Sequence, residues 1–155
     1  MQASLLPLRR ELRAALKALE GDAFLMGVIR RHDPSFGYNS FDSFVEEDCV
    51  RALEQVIGER LRIGRDARRR WKEEDGGMHV LAAVIYGLMR QENYDGSREP
   101  FRDFLLRMLK TGKLAPGKIQ QLHEALYPAA SLRRKGSGGV EKIFRRYGAT
   151  LSASM

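Results

Sequence analysis

The segment 78–89, MHVLAAVIYGLM, is apolar on nearly every side of a helix. A helix without a polar face has to be surrounded, so this one belongs at the centre of a domain and the rest of the chain must wrap it. Its Val and Ile would also suit a strand, but its length and the helical period of its neighbours favour a helix.

The neighbours carry one-sided stripes. Leu5, Leu8, Leu12, Leu16 and Leu19 recur at three and four, with Pro7 in a first turn and Gly21 as a stop. Asp22 can cap a second helix bearing Phe24, Leu25, Val28 and Ile29. The run 31–43 is rich in turn formers and also holds Phe36, Tyr38 and Phe41, so it reads as an ordered loop packed on the core. Ser43 and Glu46 fit a capping box that opens a long third helix with Val45, Cys49, Leu53, Val56 and Ile57 inward. That helix either runs on to Trp71 or bends near Gly58 or Gly64, and the acidic, glycine-rich run 73–77 ends it.

After the central helix, residues 93–96 form a turn, Ser97 caps a fifth helix with Pro100 in its first turn, and Gly112 stops it. Pro116 opens a sixth helix and Pro128 closes it. A joint at 135–139 feeds a last helix with Val140, Ile143, Phe144 and Tyr147 on one side. The expected architecture is therefore a compact all-α single domain of six to seven helices over 1–148, with a frayed tail at 149–155.

An apolar fraction of 43% is enough for a core in a chain of 155 residues. The formal charge of +7 and a pI near 9.9 suit a partner that is a polyanion. Cations are concentrated in 60–72, RLRIGRDARRRWK, as Arg60, Arg62, Arg65, Arg68, Arg69, Arg70 and Lys72. Read as one helix, Arg62, Arg65, Arg69 and Lys72 share a face. Such a face repels itself unless an anion sits opposite, and Arg is the better fork for phosphate. A second cluster holds Arg133, Arg134, Lys135, Lys142, Arg145 and Arg146. Acidic residues gather instead at 42–48, a side suited to docking a basic neighbour.

Catalytic patterns are weak. Gly112–Ile119 satisfies G-x-x-x-x-G-K, but Ile119 stands where Ser or Thr should hold magnesium, and a helix precedes it where a strand is required. Lys110, Lys113 and Lys118 around that turn could still touch a phosphate backbone. His32, His79 and His123 have no second ligand at metal spacing, so no metal or cofactor is expected and the histidines read as structural. Cys49 lies in a core stripe without a positioned base. The trios Glu46–Asp48 and Glu73–Asp75 point in different directions along a helix, so neither makes an acid/base pair. Neither an enzyme nor a small-molecule substrate is expected. A single cysteine, no h-region at the start and no long apolar run read as a cytoplasmic protein that does not enter a membrane.

Three stretches, HVLAAVIYGL (79–88), FRDFLLRML (101–109) and KIQQLHEAL (118–126), resemble the middle of the Cascade small-subunit family, CasB, of type I CRISPR effector complexes. The resemblance is one of helical pattern, and residues 1–77 do not share it. It implies a small, basic, all-helical, non-catalytic subunit of an RNA-guided antiviral complex, lining target-strand and displaced-strand backbones. Residues that would take that role within the similar part are Arg102, Arg107, Lys110, Lys113 and Lys118. The reading of 60–72 rests on charge alone. Charge and resemblance together predict largely sequence-independent binding of an RNA or DNA backbone within a larger complex. The alternative is a helical adaptor that uses its cations on an acidic protein partner.

Overall fold

The computed structural model describes residues 10–127 and is all-α, with no strand among them. Helix α1 is described over 10–16 and tightens into a 3-10 turn, Lys17–Gly21. There follow α2 (Ala23–Arg31), α3 (Phe41–Arg60), α4 (Ala67–Glu73), α5 (Val80–Gln91), α6 (Phe101–Lys110) and α7 (Ile119–Leu126). The expected last helix and tail lie outside the described residues.

Helix α5 is the expected centre. Nine of its twelve residues are buried, so it has no solvent face, and it packs against α3 on one side and α7 on another. Leu19, Leu25, Phe44, Phe104, Leu105, Met108, Leu114 and Ile119 close around it without exposure. Approach to α7 is tightest at Gly87, where an added Cβ would lie 2.5 Å from Leu126 Cδ1. A larger residue there would make the Leu126 side chain turn away from α5.

Helix ends decide the topology. Asp22 caps α2, accepting from the Leu25 amide at 2.8 Å, and its other oxygen accepts from the Gly117 amide at 2.7 Å. One buried carboxylate thus satisfies a helix start and ties the α6–α7 turn to it. α6 ends at Gly112 in the left-handed region at φ 75, with the Gly112 amide on Leu109 O at 3.3 Å and the Leu114 amide reaching back to Met108 O at 3.0 Å. This geometry accounts for the G-x-x-x-x-G-K run without any phosphate loop.

Several expected boundaries shift. The capping box is built by Ser40 and Ser43, not Ser43 and Glu46, because the serine hydroxyl three residues earlier reaches the free amide first. Ser97 is held in an Asx turn by Asp95 instead of capping α6, which starts after Pro100. Pro116 lies in a turn ahead of α7, since Gly117 takes φ 84 before the helix can begin. Tyr38 and Phe41 pack on the core as expected, while Phe36 is exposed. No helix among the described residues is long and apolar enough to cross a membrane.

Candidate nucleic-acid interface

The basic run does not form one helix. α3 stops at Arg60 in a Schellman motif: the Arg62 amide bonds Glu59 O at 3.1 Å and the Ile63 amide bonds Gly58 O at 2.9 Å. Arg62 therefore sits at φ 60, a conformation usually left to glycine. The chain then folds back so closely that a Cβ on Gly64 would be 2.8 Å from the Glu59 nitrogen. Asp66 caps α4, accepting from the Arg69 amide at 3.1 Å. Of the expected face, Arg62 and Arg65 lie on the turn, whereas Arg69 and Lys72 lie on α4.

Within α4 the side chains divide by angle. Arg70 and Trp71 point inward, with the Arg70 side chain 9% exposed and Trp71 3% exposed. Arg70 donates to Glu74 at 2.8 Å, Glu54 at 3.0 Å and the Gln55 side-chain Oε1 at 3.2 Å, and its guanidinium lies 5.0 Å from the Trp71 ring centre. Four partners make it a clamp between α3 and α4, unable to reach a ligand. Trp71 packs on Ala82, Ala83, Tyr86 and Tyr127, where it anchors the helix and cannot stack on a base.

Arg68, Arg69 and Lys72 take the opposite, exposed face of α4. Arg69 pairs with Glu73 at 3.0 Å and Arg65 approaches Glu74 at 3.8 Å, but both arginine side chains are 76% exposed. Such pairs contribute little, so either guanidinium can turn to a phosphate at small cost. Arg62 and Lys72 are exposed and make no carboxylate pair among the described residues. Arg60 donates to Asp95 O at 3.3 Å.

Cations farther along the chain are more committed. Arg102 pairs with Asp103 at 3.0 Å, and Arg107 is held by Glu99 at 2.9 Å and Glu92 at 3.3 Å. Lys113 also pairs with Glu92, whose carboxyl these two cations hold below the usual range. Lys118 caps the end of α6 through Gly112 O at 2.6 Å. Lys110 alone of this group is exposed without a partner among the described residues. Arg133, Arg134, Lys135, Lys142, Arg145 and Arg146 lie outside the described residues.

One cluster was not legible in the sequence. His79 is 1% exposed, with Nδ1 2.6 Å from Asp48 Oδ1 and Nε2 2.8 Å from Asp75 Oδ2; Asp48 Oδ2 accepts from the Ala82 amide at 3.0 Å. Asp48 is thus fully buried and not part of an acidic docking side, while Asp42 and Glu46 remain exposed. Burial pushes the His79 ring down, but hydrogen bonds and charge from Asp48, then Asp75, outweigh it, so its pKa is raised. Burial raises Asp48 as well, and His79 and the Ala82 amide pull it part of the way back. An imidazolium between two carboxylates satisfies both ring nitrogens as donors.

Around this cluster Arg51 sits 2.6 Å from Glu74 and 3.3 Å from Asp75. Its Nε lies 3.0 Å from Glu47 as an ion pair without the alignment of a hydrogen bond. Burial would raise Glu74, yet Arg70 and Arg51 hold its carboxyl below the usual range. Each nitrogen of His79 faces a different carboxylate, and among the described residues no group of three side chains converges on a metal position. Burial and the nearby carboxylates of Asp48 and Glu46 push the Cys49 thiol far up. His32 is spanned by Ile29 O at 2.6 Å and Gly37 O at 2.8 Å, a structural staple for the loop after α2.

These features define an all-α protein with an inward ionic lattice and an outward basic face on α4 and the turn before it. Comparison of the chain with protein-family models, with curated proteins and with solved structures returns no match.

Proposed function

We propose that the protein binds the backbone of a nucleic acid without catalysis and largely without regard to sequence, as a subunit of a larger complex. The observation that carries this reading is the exposed face Arg68, Arg69 and Lys72, flanked by Arg62 and Arg65, on a short helix pinned by Arg70 and Trp71. Between Arg60 and Asp75 seven cations meet four carboxylates, so the segment keeps a positive excess after its own pairs are formed. An exposed face on which cations outnumber carboxylates is what phosphate contacts need, because the counterions it displaces supply the affinity. The helical pattern shared with the Cascade small-subunit family supports a place in an RNA-guided, DNA-targeting assembly, where guide pairing reads sequence and proteins of this kind hold backbones.

The test is a salt titration of binding to labelled single- and double-stranded oligonucleotides of RNA and DNA. Log affinity should fall against log salt by about 0.7–0.9 for each phosphate neutralised. Replacing Arg68, Arg69 and Lys72 together by Gln should flatten that slope by about two to three units while circular dichroism stays unchanged. An unchanged slope, or no binding of any oligonucleotide at low salt, would transfer the cations to an acidic protein partner.

A further inference from the structure

Five large hydrophobic side chains are exposed among the described residues, and four of them, Val50, Ile57, Leu61 and Ile63, lie on α3 or the turn that ends it. Spacings of seven and four put Val50, Ile57 and Leu61 on one face, with half-buried Leu53 beside them. Asp48, Ala52, Gln55 and Val56 point the other way and are buried. α3 is therefore apolar outward as well as inward, and a continuous exposed stripe of this kind marks an association surface. Beside it lies an apolar groove of about 240 Å³, lined by Leu12 and Leu16 of α1, Val45, Val50 and Leu53 of α3, and Phe101.

Charge is divided between the two ends of the stripe. At the start of α3 the exposed carboxylates of Asp42 and Glu46 stand on the rim of the groove, and at its end stands exposed Arg60. Asp42 and Arg60 are eighteen positions apart, a whole number of turns at about 3.6 residues each, so they share one flank of the helix. Glu46 lies a single turn from Asp42 on that flank. Neither end is firmly committed. Glu46 has Arg13 at 3.9 Å, with both side chains more than half exposed, and Arg60 donates to a neutral carbonyl, Asp95 O, at 3.3 Å. Exposed contacts of this kind contribute little and are readily exchanged.

We propose that α3 packs antiparallel on α3 of a second copy of this chain, across a two-fold axis beside Leu53. Such an axis reverses the ends of the helix and keeps its flanks, so the acidic end of each copy meets the basic end of the other. Glu46 and Arg60 each lie seven positions from Leu53, which brings Glu46 to Arg60 of the second copy. Val50 and Ile57 lie three and four positions from it and meet in the same way. Each contact forms twice, as an isologous interface requires. Ile57 and Leu61 of one copy then cover the groove beside α1 of the other. A parallel pairing would set carboxylates beside carboxylates. The interface uses none of Arg68, Arg69 and Lys72.

Sedimentation velocity of the full chain without nucleic acid should show the 17.6 kDa monomer giving way to a species of twice that mass as concentration rises. Val50→Asp with Ile57→Asp should raise the dissociation constant by about tenfold or more while circular dichroism stays unchanged. Glu46→Arg or Arg60→Glu alone should weaken the dimer, and the two in one chain should recover most of the loss, because the swapped pair re-forms across the axis. Leu53→Cys should give a dimer-sized disulfide under mild oxidation, since a residue beside the axis meets its own copy, whereas Gln121→Cys on exposed α7 should not. Native Cys49 is buried and its thiol is held protonated, so it does not interfere. A monomer at every concentration would leave the stripe to a different protein and overturn the proposal. So would a dimer in which Leu53→Cys stays unlinked, or charge swaps whose losses add instead of cancelling.

Discussion

Replacing Asp48 by alanine removes the carboxylate that receives His79 Nδ1 at 2.6 Å and the Ala82 amide at 3.0 Å in a site with no solvent. The imidazolium would keep Asp75 but lose its buried partner, and the first turn of α5 would lose an acceptor. Breaking one side of a buried ion pair costs about 3–5 kcal/mol, a large share of the roughly 5–15 kcal/mol that holds a domain folded. Urea unfolding followed by circular dichroism measures the loss directly. Replacing both residues, Asp48→Ala with His79→Leu, removes the stranded charge as well, so the double variant should recover much of the deficit of the single one. The pH dependence supplies a second arm. His79 has a raised pKa when folded, so its contribution is complete below its unfolded value of 6.5 and is lost as pH rises through the folded value. Stability should therefore fall on the alkaline side of pH 6.5, and His79→Leu should abolish that part of the slope. A loss below about 1 kcal/mol for Asp48→Ala, or parallel pH profiles for the wild type and His79→Leu, would refute an ionised pair at this position.

Further consequences follow from the packing. Gly87→Ala drives a methyl to within 2.5 Å of Leu126 and should cost about 1–3 kcal/mol in urea unfolding, a penalty that Leu126→Ala relieves in a double-mutant cycle. Arg62→Gly relaxes a left-handed arginine and should raise stability by about 0.5–1 kcal/mol while weakening oligonucleotide binding, so the melting temperature and the affinity move in opposite directions. Cys49 should resist a thiol reagent in the native state and react in denaturant, because burial keeps it a neutral thiol; rapid labelling of folded protein would contradict its position.

Local chemistry was legible wherever a short stretch decides its own conformation. The apolar helix around 80–91, the Asp22 cap and the Gly112 stop were all readable in order along the chain, since each depends on helical period or on an amide three residues away. The capping serine was misplaced by three residues because Ser40 and Ser43 are chemically equivalent and only the backbone chooses between them.

What distant residues do to one another required the tertiary structure. Arg70 and Arg69 are neighbours of the same type, yet one is a buried clamp on Glu54, Gln55 and Glu74 and the other an exposed cation. Asp48 reads as part of an acidic surface until α5 brings His79 across 31 positions to meet it. By itself the sequence determined that the described part of this chain is helical and roughly where most of its helices lie, because periodicity and capping act over a few residues, but it left open whether α3 breaks before α4. Which charges are spent inside and which face outward was decided only by folding, because burial and ion pairing depend on the approach of side chains far apart along the chain.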